Sequence, residues 1–186
     1  VKLYYTTQTS TPYTWTQYGT TYTSTPISFT AAAEGTYGFK ISAYNNAGVA
    51  DETDPPSIAT APESSTIVDT TGPSQPANPS FTATGGTQVA DYINPTNTGF
   101  TVSFTSPSSN YAGTAHLYVG GADFSPALTW TVSSGSTTYT ITGDATAINQ
   151  LAVGSNALTV VIIDAAGNVG TASSTMNVIK DLTLPT

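Results

Sequence analysis

The sequence lacks arginine and cysteine entirely, and its basic residues are three isolated lysines, Lys2, Lys40 and Lys180. Binding to nucleic acid requires clusters of Lys or Arg that neutralise phosphates, so this composition and a net charge of −8 exclude it. The same shortage disfavours docking to an anionic membrane. No apolar run approaches the ~18 residues of a membrane-spanning helix, so we expect no direct membrane insertion.

Threonine and serine take the place of charged residues, with 37 and 20 of the 186 positions, whereas charged residues make up 8%. Threonine is β-branched and suits a half-buried strand surface. A chain with this composition keeps its surface soluble through uncharged polar groups, and we expect an all-β protein.

Apolar residues alternate with polar ones in several short runs, whereas helical periodicity is nearly absent. Each run is bounded by Gly, Pro, Asn or Ser, as strands of a sandwich are. The runs that predict strands are 1–5, 27–31, 37–43, 100–104, 115–119, 128–132 and 158–162. One helical turn is predicted at 145–151.

A segment rich in proline and carboxylates, 51–79, punctuates the chain and is predicted to be mostly connection, because proline cannot donate to a sheet ladder. The motif Asp69-Thr-Thr-Gly-Pro73 within it recurs in altered form as Asp181-Leu-Thr-Leu-Pro185, 112 residues later. That spacing is one sandwich domain. The predicted domains are therefore 1–68 and 69–186.

A second pair of similar motifs precedes the two junctions. Tyr44-Asn-Asn-Ala-Gly-Val-Ala-Asp51 comes before the first, and Asp164-Ala-Ala-Gly-Asn168-Val-Gly before the second. The shared Ala-Gly supplies a glycine able to adopt positive φ in a hairpin turn.

With these motifs the chain resembles the bacterial and archaeal immunoglobulin-like tandem repeats of large cell-surface proteins, over residues 70–186 and more loosely over 1–69. The stretch from Glu34 to Gly48 is similar to the last hairpin of a fibronectin type III domain, with Tyr37 as a tyrosine-corner residue. The resemblance implies two immunoglobulin-like antiparallel β-sandwich domains in tandem. It also implies an extracellular location, as in adhesins and surface-layer proteins, with neighbouring repeats of the same or a longer chain as partners.

The first domain departs from this pattern, since Asn45-Asn46 stands where an acidic residue is usual. It also begins at the third strand of the sandwich, which makes it incomplete. Three explanations stay open: a fragment of a longer chain, a smaller domain, or strands donated by a partner, as in donor-strand filaments.

In repeats of this kind calcium sits at domain junctions, and hard cations take six to eight oxygen ligands. The resemblance makes Asp69, Asp164, Asn168 and Asp181 candidate calcium ligands, with further carboxylates at 51–54. The alternative is that these side chains cap turns through Asx hydrogen bonds.

Catalysis has little chemical basis in this sequence. His116 is the single histidine, cysteine is absent and no Gly-x-Ser-x-Gly elbow occurs. His116 alternates with apolar neighbours and is predicted to face solvent, although Asp123 is near enough in sequence to pair with it. Zinc needs more His or Cys ligands than the chain has. We expect that the chain is not an enzyme.

Aromatic residues crowd the first domain, with Tyr13, Trp15, Tyr18 and Tyr22 in one Thr-rich stretch. Such rings stack on sugars and are enriched at interfaces, so surface glycans or other subunits are candidate partners; ordinary packing is the alternative. The leading expectation is a spacer or lattice unit of a surface protein. The other expectations are a carbohydrate-binding module and a filament subunit completed by donor strands.

Overall fold

The computed structural model describes residues 1–108 and 112–183. Strands account for 44% of the chain and helix for 3%, so the protein is all-β. The chain divides into two compact units, Val1–Thr70 and Thr71–Thr186, called unit 1 and unit 2. The boundary lies two residues beyond the one predicted from sequence.

Unit 1 contains one antiparallel sheet with the strand order β2-β1-β3-β4. Its strands are β1 (Lys2–Thr6), β2 (Thr16–Tyr18), β3 (Gly35–Ser42) and β4 (Ser64–Val68). The alternation at 27–31 forms no strand, because no neighbouring strand pairs with this segment in unit 1. Conversely, β4 arises within the segment predicted to be mostly connection.

Unit 2 contains two sheets. One has the order β10-β8-β12-β13-β6, with β9 paired to β8, and the other has the order β11-β7-β5. Pairing is antiparallel throughout except between β13 and β6. The elements are β5 (Ala77–Thr84), β6 (Tyr92–Ile93), β7 (Gly99–Thr105), β8 (Ala112–Val119), β9 (Ala122–Asp123), β10 (Thr129–Ser133), β11 (Thr138–Gly143), α1 (Ala145–Gln150), β12 (Gly154–Asp164) and β13 (Met176–Lys180).

The two sheets of unit 2 share one hydrophobic core. Phe100 and Phe104 enter it from β7, and Leu117 and Val160 enter from β8 and β12; all four are fully buried. Burying a side chain of this size stabilises the fold by about 1.5–3 kcal/mol. The alternation in β7 and β8 therefore indicates a sheet with one face on the core, whereas β12 also buries Val161 from its other face.

The short helix α1 is fixed at both ends. Asp144 caps its N-terminus by accepting a hydrogen bond from the backbone N–H of Ala147 at 3.0 Å. At its other end the buried Lys180 donates from Nζ to the carbonyl oxygens of Ile148 and Leu151, both at 2.9 Å. The helix turn predicted from sequence is confirmed at this position.

Candidate functional site

One face of the unit 1 sheet carries a cluster of aromatic rings around Phe29. The centroid of the Phe29 ring lies 4.7 Å from that of Tyr18, 4.9 Å from Phe39, 5.2 Å from Tyr5 and 5.4 Å from Tyr37. Segment 27–31 is therefore held against the sheet by ring contacts instead of by a backbone ladder.

Beside these rings lies an open apolar cavity of about 310 Å³. Its lining residues are Leu3, Thr25, Ile27, Phe29, Phe39 and Ile41. Ile41 is 43% exposed although it lies near the end of β3 on the same face as Phe39. We call this surface, formed by Leu3, Tyr5, Ile27, Phe29, Phe39 and Ile41, the apolar face of unit 1.

The opposite face of the same sheet is covered by polar contacts from 51–63. Lys2 Nζ lies 2.6 Å from Asp54 Oδ2, and the Tyr4 hydroxyl donates to the other oxygen of Asp54. The hydrogen bonds from Lys2 and Tyr4 hold the pKa of Asp54 below its usual range. The Asp54 carboxylate is therefore neutralised by groups on β1.

Lys40 lies on the same face, at the centre of β3, and its side chain is 5% exposed. Its Nζ contacts Glu52 Oε2 at 2.6 Å and Glu63 Oε1 at 2.8 Å. Hydrogen bonds to Glu52 and then Glu63 raise the pKa of Lys40 despite the opposing effect of burial. The carboxylates predicted as an acidic group at 51–54 are thus dispersed among separate partners; Asp51 Oδ1 accepts from the N–H of Ala43.

The four aromatic candidates from the sequence occupy different surroundings. The rings of Tyr13 and Trp15 lie 5.9 Å apart, Tyr13 is buried, and Trp15 Nε1 donates to the carbonyl oxygen of Ser57 at 3.1 Å. Tyr18 joins the ring cluster around Phe29. Tyr22 packs its hydroxyl against Gly19. The stretch 13–22 therefore divides into a Tyr13–Trp15 pair and separate packing residues.

The candidate calcium ligand Asp164 organises a turn in unit 2. Its Oδ1 accepts from the backbone N–H groups of Ala166 and Asn168, both at 2.9 Å. Its Oδ2 accepts from Asn168 Nδ2 at 3.1 Å. Burial raises the pKa of Asp164, but the hydrogen bonds from Asn168 and Ala166 outweigh it and leave the pKa below the usual range. Gly167 supplies the positive φ, 91°, that the turn needs.

The remaining calcium candidates lie on the surface of their units. Asp181 accepts through Oδ1 from the N–H of Thr183 at 2.9 Å and from its hydroxyl at 2.5 Å. Asp69 is exposed just after β4. Across residues 1–108 and 112–183, no group of three His, Cys, Asp or Glu side chains is placed to hold a metal ion. The oxygens of Asp164 and Asp181 accept hydrogen bonds from neighbouring turn residues, which is the arrangement of turn caps.

The β8–β9 hairpin brings together His116 and Asp123. His116 Nδ1 lies 2.7 Å from Asp123 Oδ2, and the two side chains are 19% and 32% exposed. A hydrolytic triad would need a nucleophile on the other ring nitrogen. In the part of the chain that the structure describes, no Ser or Thr hydroxyl is hydrogen-bonded to His116.

Unit 1 contains a turn with the same hydrogen bonds as the Asp164 turn, but its acceptor is the side-chain amide of Asn45. Asn45 Oδ1 accepts from the N–H groups of Ala47 and Val49, both at 3.0 Å. Gly48 supplies the positive φ, 78°. In both units the turn follows the strand at the centre of the sheet and closes with an isolated antiparallel bridge.

A second contact recurs at the start of those strands. The Tyr37 hydroxyl donates to the carbonyl oxygen of Ala33 at 2.9 Å and accepts from the N–H of Ala33 at 3.2 Å. In unit 2, Asn156 Nδ2 donates to the carbonyl oxygen of Ala152 and Asn156 Oδ1 accepts from its N–H, both at 2.9 Å. In each unit a polar side chain on the third residue of the strand clamps the chain four residues upstream.

The register between β1 and β3 in unit 1 is the same as that between β8 and β12 in unit 2. Leu3 pairs with Ile41 in unit 1, and Leu117 pairs with Val160 at the corresponding positions of unit 2. The sheet β2-β1-β3-β4 therefore corresponds to β10-β8-β12-β13. The second sheet of unit 2, β11-β7-β5, has no counterpart sheet in unit 1, all of whose residues the structure describes.

Sequence reasoning identified the two turns and missed the two lysine-centred contacts. The position of Lys40 inside an apolar alternation was the available signal, because a buried lysine needs hydrogen-bond acceptors and here they are carboxylates. No helix in the described ranges is long and apolar enough to cross a membrane. The chain matches no protein-family model and no curated protein.

Proposed function

We propose that this chain is a non-catalytic structural or adhesive region of an extracellular cell-surface protein, in which immunoglobulin-like modules in series act as a spacer or lattice unit. The observation that carries the proposal is the recurrence of one strand-and-turn arrangement in both units. Tyr37 and Asn45 in unit 1 have the same backbone partners, position for position, as Asn156 and Asp164 in unit 2. A chain that repeats a module is suited to length and mechanical continuity.

The Tyr37 contact also supports the immunoglobulin-like assignment. A tyrosine corner is a tyrosine near the start of a late strand whose hydroxyl bonds to the backbone a few residues upstream. Tyr37 makes this bond to Ala33 at 2.9 Å. The two sheets of unit 2, packed over one core, are compatible with the same fold.

The chemistry-bearing side chains support a structural function because they bond to the protein itself. Asp54 and Glu52 pair with lysines, Asp164 holds a turn, and Lys180 holds the end of α1. The Thr- and Ser-rich composition suits an exposed surface that stays soluble with few charges. Neighbouring repeats are the partners that this function requires.

Force spectroscopy of the chain between two marker domains tests the proposal. A spacer should show distinct unfolding peaks, with a contour-length gain of roughly 400 Å for unit 2, from about 3.3–3.6 Å per residue. Asn156→Ala should lower the force of that peak, whereas Val153→Ala, at an exposed position on the same turn, should not. Extension without a resolved peak would contradict a load-bearing function.

A carbohydrate-binding module is the second candidate, and the Tyr13–Trp15 pair favours it. Tyr13 also lines an open cavity of about 470 Å³ together with the polar side chains of Gln8, Thr36 and Glu63. A glycan array should then show binding that Trp15→Ala removes. Trp130→Ala, at a 49% exposed position in unit 2, is the matched control. Equal signals from both variants would contradict this candidate.

A filament subunit is the third candidate, favoured by the open apolar face of unit 1. A subunit of this kind would polymerise when donor strands from a neighbour complete the face. Sedimentation over a range of concentrations separates the candidates, since a spacer should remain monomeric. Growth of large species that Ile41→Ser prevents would favour the filament.

A further inference from the structure

We propose that the apolar face of unit 1 binds a pair of antiparallel β-strands with the apolar alternation of β5 and β7. The observation behind it is that this face has a counterpart in unit 2, where β5 and β7 of the same chain cover it. The inference goes beyond a spacer function because it assigns unit 1 a specific partner.

In unit 2 the counterpart face is closed. Leu117 and Val160, which correspond to Leu3 and Ile41, are fully buried. The residues that cover this face from the opposite sheet are Phe81 and Ala83 on β5, Phe100, Val102 and Phe104 on β7, and Ile141 on β11. In unit 2 this face is therefore part of the hydrophobic core.

In unit 1 the face is open at Ile41, whereas Leu3 is buried at 7% exposure. Ile41 is 43% exposed where Val160 is 0% exposed. A cavity of about 310 Å³ lies over Leu3, Ile41 and their neighbours. An apolar surface of this kind gains stability of about 25 cal/mol for each Å² removed from water.

Polar residues on β4 limit the area of the apolar face that a partner can cover. On β4 the positions that correspond to Met176 and Val178 are Ser64 and Thr66, both exposed. The polar residues mark a rim, so the contact is centred over β1 and β3. This placement matches the apolar cavity, which is lined from those two strands and from 25–29.

The backbone of 27–31 supplies a second element of recognition. In unit 2 the strand in this place of the chain order is β11, which pairs with β7 from Thr138 to Gly143. In unit 1 the segment is held by ring contacts and by one hydrogen bond, from the N–H of Thr30 to the Tyr18 hydroxyl at 3.1 Å, and it has no ladder partner in residues 1–70. A strand equivalent to β7 would therefore find backbone groups to pair with as well as a surface to cover.

Charge favours the same occupant. The apolar face contains no charged residue, and neither do β5, with the sequence ANPSFTAT, and β7, with the sequence GFTVSFT. A charged partner would leave ions unpaired against this surface. A strand pair with alternating Phe, Val and Ala would not.

The test uses the full chain with labelled methyl groups and a synthetic peptide of residues 75–106, which contains β5 and β7. Saturable 1:1 shifts are expected at Leu3, Ile27 and Ile41, with Val160 and Leu117 unchanged. The matched control peptide carries serine in place of Phe81, Phe100 and Phe104, and it should not bind.

Two variants of the chain locate the contact. Ile41→Ser should weaken binding at least tenfold, and its exposure means that the fold tolerates the change. Ile67→Ser is the matched control, because Ile67 is 74% exposed on the opposite face of the sheet, opposite Thr36. Binding to this variant should equal that of the unchanged chain.

Three results would overturn the proposal. The first is the absence of saturable shifts, and the second is a shift at Val160 and Leu117, which would place the peptide in unit 2. The third is a dimer of the unmixed chain that Ile41→Ser dissociates and the peptide does not, which would make a second copy the occupant. None of these results depends on the mechanical test of a spacer function, so the two proposals fail separately.

Discussion

Tyr37 and Asn156 clamp the chain in the same way although 119 positions separate them and their side chains differ. Each offers one donor and one acceptor to the backbone N–H and C=O of an alanine four residues upstream. A hydroxyl and an amide are interchangeable here because both groups present a donor and an acceptor at one end. The clamp fixes the entry of the chain into the central strand of each sheet.

Tyr37→Phe should lower the free energy of unfolding of unit 1 by about 1 kcal/mol, the net value of a buried hydrogen bond. The ring remains and keeps its contact with Phe29, so the loss isolates the hydroxyl. Urea unfolding followed by the fluorescence of Trp15, in a Trp130→Phe background, measures it. Tyr92→Phe is the control, since Tyr92 is 39% exposed and lies in unit 2. Equal stability of Tyr37→Phe and the parent would contradict the clamp.

The Asp164 turn should make the stability of unit 2 depend on pH in the acidic range. Because the pKa of Asp164 is lower in the folded state than the 3.8 expected when unfolded, its contribution to stability is complete above 3.8 and is lost as pH falls through the folded value. Asp164→Asn, which places an amide here as at Asn45, should reduce the loss of stability as pH falls below 3.8. Thermal melts across this range, read from Trp130 fluorescence, measure the change.

Asp181→Asn is the comparison for that experiment. The pKa of Asp181 is also lowered, by the hydroxyl and backbone N–H of Thr183, but this carboxylate is exposed and solvent screens it. We therefore expect the melting temperature of Asp181→Asn to depend on pH in the same way as that of the unchanged chain. If Asp164→Asn also matches the parent, the turn does not couple folding to the ionisation of Asp164.

Calcium should leave the melting temperature unchanged within about 1 °C. Asp164 accepts from three donors and Asp181 from two, and a cation would have to displace them. A site with calcium at 100 times its dissociation constant would add about 2.7 kcal/mol, which a melt detects readily. Parallel melts in EDTA and in millimolar calcium provide the measurement. A rise of several degrees that Asp164→Ala abolishes would establish the calcium site predicted from sequence.

Strand positions were predictable where one face of a sheet lies on the core, because burial of that face places an apolar residue at every second position. The runs at 100–104 and 158–162 are of this kind and became β7 and β12. The run at 27–31 has the apolar alternation but forms no strand, because a β-strand also needs a neighbouring strand with which to form backbone hydrogen bonds. β4 was missed for the opposite reason: it pairs with β3 while its residues are mostly exposed and polar, so they show no apolar period.

The contacts of unit 1 were less predictable than its strands. Lys2 and Asp54 lie far apart in sequence, and nothing local indicates that they meet at 2.6 Å. For the carboxylates at 51–54, the sequence shows that the charges are clustered but not which groups they contact. The turns at Asn45 and Asp164 were predictable since a turn is local, and its Gly and Asx residues act within five positions.

Lys180→Met should destabilise unit 2 by about 1–3 kcal/mol, because it leaves the buried carbonyl oxygens of Ile148 and Leu151 without their donor. Methionine keeps most of the volume and apolar stem of lysine, so lost packing contributes little. Urea unfolding followed by Trp130 gives the free energy, and amide exchange at Leu151 shows whether the end of α1 loosens. Lys2→Met is the control: its ion pair with Asp54 is partly exposed, and we expect a smaller loss of stability than for Lys180→Met, in unit 1 alone. If Lys180→Met is as stable as the unchanged chain, water replaces the ammonium group, and the hydrogen bonds from Lys180 do not stabilise the C-terminal end of α1.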